Sequence, residues 1–433
     1  MKVCVVGLWH LGTVTAACLA SIGHDVAGLD FDPAVVAGLA AGRPPLFEPG
    51  LEDLVKAGLV SGRLRFTTDV AAAVEGVDVV WVTYDTPVDD DDRADVAYVV
   101  EQTRKLFPHL PDGSLVLVSS QMPVGTTRRL EQMFASEAGG RSVGFACSPE
   151  NLRLGKAIAV FTQPDRVVVG VRSQADREKI ATLLHPFTER IEWMSVESAE
   201  MTKHALNAFL ATSVMFINEI AVLCEQVGAD ATEVERGLKS EARIGPKAYL
   251  SPGGAFAGGT LARDVVFLSQ LGRTHGVATH LLSSVKSSND AHRKWAERRL
   301  ERLLDGVSGK TVAIWGLTYK PGTDTLRRSN AVELCHWLVD HGASVRAHDP
   351  AVKALPGDLV GPIKLVHSAL AAVEDASALV VSTEWPEYRQ IAAAEVSTRM
   401  VRPLVLDASR FLGVTLGNNA GIEYVSVGRS AFT

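Results

Sequence analysis

The sequence contains little cysteine. Its 433 residues include five cysteines, and no two of them form a CxxC pair. A disulfide framework or a cysteine-based zinc site needs closely and regularly spaced cysteines, so neither is expected and no metal site is predicted. Free thiols buried in a reducing compartment are the simpler interpretation, and they predict a cytoplasmic location. The cysteines are Cys4, Cys18, Cys147, Cys224 and Cys335.

Excess charge of one sign is also scarce. The 43 basic and 50 acidic residues leave a net charge of -7, whereas a nucleic-acid-binding face needs clustered Lys and Arg. The opening residues MKVCVVGLWHLG are apolar but lack the charged region and cleavage site of a secretory signal. No stretch is typical of a membrane span. We therefore expect neither nucleic acid nor a membrane as a partner.

Short apolar segments alternate with helical patterns at both ends of the chain. Short buried strands separated by helices are typical of parallel sheets covered on both faces. The predicted strands of the first part are residues 2–7, 25–30, 79–83, 115–120, 143–147 and 166–171. Those of the last part are residues 311–315, 344–348, 378–382 and 401–407. The sequence therefore predicts an α/β protein with two Rossmann-like domains.

The middle of the chain has a different pattern. Apolar residues recur at helical intervals over residues 198–227 without a proline, which predicts one long buried helix. This pattern divides the chain into an N-terminal domain (1–197), a central helical dimerisation segment (198–305) and a C-terminal domain (306–433). The helix has more apolar surface than one with a solvated side needs, so we expect a homodimer through it.

The first strand ends in a glycine-rich turn, Gly7-Leu8-Trp9-His10-Leu11-Gly12. Strand, glycine turn, helix and a second strand closed by an acid is the plan of a dinucleotide-binding fold. Asp30 is that acid, and a carboxylate there favours NAD over NADP because it repels a 2′-phosphate. Trp9 replaces the second glycine of GxGxxG, which normally lets the backbone approach the pyrophosphate. A Rossmann-like domain that no longer holds the cofactor in the usual pose is the alternative.

Several further motifs follow one another in a characteristic order. They are FEPGLEDL (47–54), DTP (85–87) followed by Asp95, MPVGTT (122–127), CSPENLRLG (147–155), SAEMTKHALNAFLATSVMFINEIAVLCEQVGAD (198–230), ARIGPKAYLSPGGAFAGG (242–259), GLTYKPGTDTLRRS (316–329) and TEWPEYR (383–389). Together they resemble the UDP-glucose/GDP-mannose dehydrogenase family over almost the whole chain. The resemblance implies NAD-dependent oxidation of a sugar hydroxyl in two steps, through an aldehyde and a cysteine-bound thioester, to a uronic acid.

The resemblance also assigns catalytic residues. Lys203 and Asn207 lie four residues apart, on one face of the predicted helix, and they match the pair that stabilises negative charge on the sugar oxygen. Asp264 matches an acid that handles the proton or water, and Glu150 matches a candidate base for hydrolysis.

Three departures fall on the second half of the family's reaction. Thr260 stands at the position of the nucleophilic cysteine, and a Thr hydroxyl forms essentially no alkoxide without a dedicated base. Gln121 replaces a threonine associated with the catalytic water, and Leu154 stands where many members carry a second glutamate. The residues for the first hydride transfer are retained.

The resemblance assigns ligand-binding residues as well. Glycines between residues 253 and 259 would let backbone N–H groups approach a diphosphate or sugar, and Arg243 is expected to reach the partner subunit's site. The cofactor-binding set is Gly7, Trp9, His10, Leu11, Gly12, Asp30, Thr86 and Arg327. The substrate-binding set is Glu150, Leu152, Lys203, Asn207, Arg243, Tyr249, Gly253, Gly258 and Lys320.

The sequence thus predicts an NAD-dependent oxidoreductase acting on a nucleotide-diphosphate sugar, with a UDP-hexose favoured as the commoner case in the family. Because Thr260 replaces the cysteine, we expect hydride transfer that stops short of the uronic acid or that acts in epimerisation. A standard UDP-sugar 6-dehydrogenase and a non-catalytic sugar-nucleotide-binding protein are the alternatives.

Overall fold

A computed structural model describes residues 1–87, 94–137, 139–150, 152–257 and 260–429. The chain divides into two compact units, Met1–Ala205 and Leu206–Thr433. This division falls inside one long helix, so the boundaries at 197 and 305 remain a prediction.

The first unit is built on one sheet with the strand order β3-β2-β1-β4-β5-β6-β7-β8. Its strands are β1 (Lys2–Val6), β2 (Asp25–Leu29), β3 (Leu64–Thr67), β4 (Val79–Val82), β5 (Leu115–Val118), β6 (Gly144–Cys147), β7 (Val167–Gly170) and β8 (Ile191–Met194). Its helices are α1 (His10–Ser21), α2 (Pro33–Ala40), α3 (Leu51–Val60), α4 (Val70–Val74), α5 (Val96–Arg104), α6 (Thr126–Glu137), α7 (Ala157–Thr162) and α8 (Gln174–Leu184). The strands pair in parallel except at one place, where β7 meets β6 antiparallel at Gly170 and Cys147. The predicted parallel sheet is confirmed, and this one antiparallel pairing is an addition that the apolar pattern does not indicate.

The second unit contains a smaller sheet with the order β11-β10-β9-β12-β13-β14, and all its neighbouring strands are parallel. The strands are β9 (Thr311–Trp315), β10 (Ser344–His348), β11 (Ile363–Leu365), β12 (Ala378–Val381), β13 (Leu404–Asp407) and β14 (Glu423–Val425). The chain enters this unit along α9 (Val196–Val227), and the other helices are α10 (Ala231–Ser240), α11 (Thr260–Thr274), α12 (His280–Arg293), α13 (Trp295–Leu304), α14 (Asn330–Asp340), α15 (Ala369–Val373) and α16 (Ala393–Arg399).

Both sheets use the same turn at the end of their first strand. Gly7 has φ +90° and Gly316 has φ +89°, which only glycine adopts easily. In each turn the next residue, Leu8 or Leu317, donates its N–H over 2.7 Å to the acid that follows the second strand. The repeat supports the two Rossmann-like domains that the alternating pattern predicts.

Helix α9 is confirmed as a single element, but it is not buried all round. Phe209, Phe216, Leu223 and Val227 expose large parts of their side chains in the single chain. By length and composition α9 is also the one helix, among the described residues, that could cross a bilayer. That is weak support for a membrane span, because the core helix of a soluble protein passes the same test.

Candidate active site

The glycine turn after β1 has the close packing that a dinucleotide-binding turn needs. A Cβ on Gly12 would lie 1.9 Å from the carbonyl oxygen of Gly7, and one on Gly7 would lie 2.7 Å from the ring of Tyr84. Trp9 precedes α1 with φ -81°, so the backbone there does not require glycine. Its side chain is 47% exposed and is not packed into the core. Trp9 therefore differs from the usual second glycine in the bulk of its side chain, and not in its backbone conformation.

The predicted ribose acid lies beside this turn. One Asp30 oxygen accepts the N–H of Leu8 at 2.7 Å, and the other accepts the N–H of Asp32 at 3.0 Å. A carboxylate has about four acceptor positions, so capacity remains for a ribose diol. The turn and Asp30 together fit an NAD molecule. Leu11 is buried, so only its backbone could contact a cofactor.

The carboxyl ends of β5 and β6 and the start of α9 enclose a small cavity of about 20 Å³, which is room for about one water molecule. Ser120 Oγ is buried there, with no hydrogen-bond partner among the described residues. The predicted Gln121 also lines the cavity, and its carbonyl accepts a hydrogen bond of 2.7 Å from the hydroxyl of the predicted Thr86. Sequence reasoning missed Ser120, because a serine after a strand carries no signal of its own.

Glu150 and Lys203 meet at the same cavity. Lys203 Nζ donates to the carbonyl oxygen of Glu150 at 2.7 Å and lies 3.9 Å from its carboxylate. That carboxylate also accepts the N–H of Leu152 at 2.7 Å. The side chain of Leu152 packs on the apolar cluster around α1 and α3, so its backbone is the part tied to the site.

The second unit holds another part of the predicted catalytic set. Asp264 is completely buried in α11 and accepts a hydrogen bond from the amide of Asn207 on α9. The carboxylate therefore fixes the orientation of that amide. Thr260 is exposed and is the first residue of α11. The N-terminus of a helix favours negative charge, because the positive end of the helix dipole lies there.

All five cysteines are buried and unpaired. Burial raises the pKa of Cys4, Cys18 and Cys335 to about 12. Burial also raises the pKa of Cys147, on the wall of the small cavity, well above its usual value, and that of Cys224 in the same direction. A thiol with a raised pKa yields little thiolate at neutral pH. These cysteines are therefore poor nucleophiles.

A larger cavity of about 390 Å³ lies at the carboxyl ends of β9, β12 and β13. Two residues expected from the sequence, Lys320 and Gly254, line it. His292, Asn330 and Asp407 line it as well and were not identified from the sequence. This edge of a parallel sheet is where such folds bind ligands.

Several predicted substrate residues lie outside this lining. The expected role of the Gly253 N–H is corrected by the structure. Gly253 donates this N–H to the side-chain oxygen of Asn218 at 2.9 Å, so it is not directed at a diphosphate. Its lack of a side chain instead allows close packing on Ser409. Tyr249 and Arg243 are exposed, and Arg243 pairs with Glu241. Arg327 is exposed on the loop before α14. Gly258 and Gly259 lie outside the described residues.

The chain matches the three models of the UDP-glucose/GDP-mannose dehydrogenase family: the NAD binding domain over residues 1–188, the central domain over 197–291 and the UDP binding domain over 313–413. A UDP-glucose 6-dehydrogenase of Pseudomonas aeruginosa is 35% identical over 443 aligned positions, which cover 99% of this chain and 98% of that protein. A UDP-glucose dehydrogenase structure from Pyrobaculum islandicum matches with TM-score 0.87 and 30% identity over 99% of this chain and 98% of that one. A UDP-D-ManNAc dehydrogenase structure from Pyrococcus horikoshii matches with TM-score 0.86 and 25% identity over the full length of both. The chain therefore belongs to the UDP-glucose/GDP-mannose dehydrogenase family, and NAD is its cofactor.

Proposed function

We propose that this protein removes one hydride from a carbinol carbon of a UDP-hexose and does not carry the product on to a uronic acid. The match to the family's UDP binding domain supports UDP as the nucleotide of the substrate. The retained Lys203, Asn207 and Asp264 support the first oxidation. We limit the reaction to one oxidation because none of the five cysteines offers an accessible thiol. Thr260 occupies the nucleophile's position, and every cysteine is buried.

Bound NAD supplies the acceptor for the hydride. Helix α9 carries Lys203 and Asn207 one turn apart, and we assign both to the sugar oxygen as negative charge develops on it. Asp264 holds the Asn207 amide in place, and we assign its carboxylate to receive the hydroxyl proton. Glu150, anchored by Lys203, is assigned to the wall against which the sugar binds.

The test is a panel of UDP- and GDP-sugars with NAD, in which NADH absorbance and product mass are read together. We expect at most one NADH per sugar, with an aldehyde, a ketone or an epimer as product. Lys203→Ala should reduce turnover by roughly a hundredfold or more, as does loss of other oxyanion-stabilising groups. Lys286→Ala, which removes an exposed lysine paired with Asp290, is the matched control and should leave turnover unchanged.

The competing candidate is complete oxidation, because the relatives compared above are named as dehydrogenases that include UDP-glucose 6-dehydrogenases. A uronic acid released with two NADH per sugar would establish that candidate and refute the proposed limit. Binding of both ligands without any turnover would instead favour the non-catalytic alternative.

We also propose that the protein is a cytoplasmic homodimer with domains at 1–197, 198–305 and 306–433. The exposed apolar stripe on α9, formed by Phe209, Phe216 and Leu223, supports the dimer, since a lone chain would leave it in water. Light scattering that shows a monomer at micromolar concentration would exclude this assembly.

A further inference from the structure

Glu48 is a buried carboxylate that joins two segments of the first unit. One of its oxygens, Oε2, lies 2.9 Å from His10 Nε2 and accepts the N–H of Gly155 at 2.7 Å. The other, Oε1, accepts the N–H of Ala157 at 2.9 Å. The Glu48 side chain is 1% exposed, so these three donors replace its hydration. An ionised carboxylate only accepts hydrogen bonds, so the His10 ring nitrogen is the donor.

The two joined segments have different proposed tasks. His10 is the first residue of α1 and belongs to the glycine turn that fits the cofactor. Gly155 and Ala157 follow Glu150 and Leu152, the residues assigned to the sugar. That second segment is thus held near one end by Lys203, through the Glu150 carbonyl, and near the other by Glu48.

Apolar packing makes this connection stiff. Val14 and Cys18 of α1, Leu51 and Val55 of α3, and Ala157 of α7 form one buried cluster. Leu152 and Ile158 pack against the cluster as well. A continuous path of packed side chains and hydrogen bonds therefore connects the Glu150 segment to the start of α1.

We propose that Glu48 and His10 are positioning residues that couple cofactor binding to sugar-nucleotide binding. The proposal rests on the proposed function, which places NAD at the glycine turn and the sugar at Glu150. A ligand bound at the glycine turn or at Glu150 restricts the motion of the segment that it contacts. The His10–Glu48 hydrogen bond then restricts the motion of the other segment. Coupling of this kind is reciprocal, so each ligand tightens the binding of the other by the same factor.

The test measures a ratio of affinities rather than activity. NADH and UDP-glucose are both reduced, so they bind together without reacting, and NADH fluorescence gives the dissociation constant with and without saturating UDP-glucose. We expect UDP-glucose to tighten NADH binding about fivefold or more in the unmodified protein. In His10→Phe the ratio should fall to near one, because Glu48 keeps Gly155 and Ala157 but loses its link to the glycine turn. General loss of stability affects both constants and leaves the ratio unchanged.

Three further proteins complete the experiment. His10→Gln keeps an N–H donor and should restore most of the ratio. Glu48→Gln places an amide N–H against the donors that the carboxylate accepts, and should behave like His10→Phe. His185→Phe removes an exposed histidine of the same unit and should keep the full ratio.

The outcomes separate this inference from the proposed function. A ratio near one in the unmodified protein, or an unchanged ratio in His10→Phe, overturns the coupling while binding of both ligands stands. A His10→Gln variant as defective as His10→Phe also overturns it, because the hydrogen bond would then not be the link. Failure of the unmodified protein to bind NADH or UDP-glucose overturns the proposed function and the coupling with it.

Discussion

Asp30 is the residue on which dinucleotide preference is expected to depend. Its carboxylate opposes a 2′-phosphate and also accepts the N–H of Leu8. We expect Asp30→Ala to weaken NADH binding roughly tenfold, as loss of a charged hydrogen-bond partner typically does. The ratio of NADPH to NADH dissociation constants should also become smaller. Asp30→Asn keeps an acceptor for Leu8, so it should narrow the preference equally with a smaller loss of NADH affinity. Fluorescence titration measures both constants. Tighter binding of NADPH than of NADH by the unmodified protein would contradict this assignment.

Thr260 offers a second test at the scale of one residue. A cysteine placed there would be exposed at the first position of α11, where the N-terminal N–H groups lower a thiol pKa. We expect the pKa of the new thiol in Thr260→Cys to lie about half a unit or more below that of an ordinary cysteine. The pH dependence of iodoacetamide alkylation measures it, since the five native thiols are buried.

Gln270→Cys is the control for this measurement, because Gln270 is exposed farther along the same helix. Its thiol should titrate near the ordinary value of about 8.5. Equal pKa values at the two positions would show that the start of α11 gives no electrostatic activation. Thr260→Cys need not produce a uronic acid, since Gln121 and Leu154 would remain.

At the scale of elements, the strands that sequence patterns identify are those in the interior of each sheet. Every strand predicted from an apolar run matches an observed strand, and the four that were missed are β3, β8, β11 and β14. Those four are the edges of the two sheets. An edge strand is partly solvated, so polar residues interrupt its apolar pattern, as in LRFT of β3 and IEWM of β8.

The start of α9 is held by an ion-pair network whose effect depends on pH. Glu197 accepts hydrogen bonds from Arg172 and Arg128, and the Arg172 hydrogen bond is the main reason that its pKa falls from 4.5 to about 2. A lowered pKa in the folded state stabilises the fold above about pH 4.5, and this stabilisation is lost as the pH falls through about 2.

Glu197→Gln should therefore reduce the free energy of unfolding at pH 7 by about 1 kcal/mol, since the partners are partly solvated. The difference from the unmodified protein should shrink as the pH is lowered from 4.5 toward 2. Urea midpoints at several pH values measure it. Glu189→Gln is the control, because Glu189 is exposed and lies 3.6 Å from His185. A difference between Glu197→Gln and the unmodified protein that persists unchanged at the lowest pH would refute the assignment.

At the scale of the whole molecule, the motifs identify the family but not how the site is held together. The glycine turn, Asp30, Lys203 and Glu150 could be anticipated because each lies within a recognisable motif. The contact between Lys203 and Glu150 was not predicted, because it joins two separate motifs. Glu48 could not be paired with His10 and Ala157, which are 38 and 109 residues away, because no sequence pattern connects them. Among the glycines expected to approach a diphosphate or sugar, Gly253 instead donates its N–H to Asn218, a contact over 35 residues that no sequence pattern indicates.

The exposed apolar stripe on α9 predicts that two chains associate through this helix. The stripe residues Phe209, Phe216 and Leu223 repeat every seven residues and so lie along one side of α9. Changing all three to serine should give a monomer by light scattering, whereas Phe47→Ser, which removes a still more exposed aromatic residue elsewhere, should leave the dimer intact.

If Arg243 serves the partner's site, Arg243→Ala and Lys203→Ala should each be inactive alone but active once their subunits are exchanged. A mixed dimer then has one site with an intact Lys203 and an intact Arg243 from the other chain. Random exchange makes about half of the dimers mixed, so activity should return to about a quarter of all sites. No recovery, with exchange verified by mass, would show that Arg243 acts within its own chain.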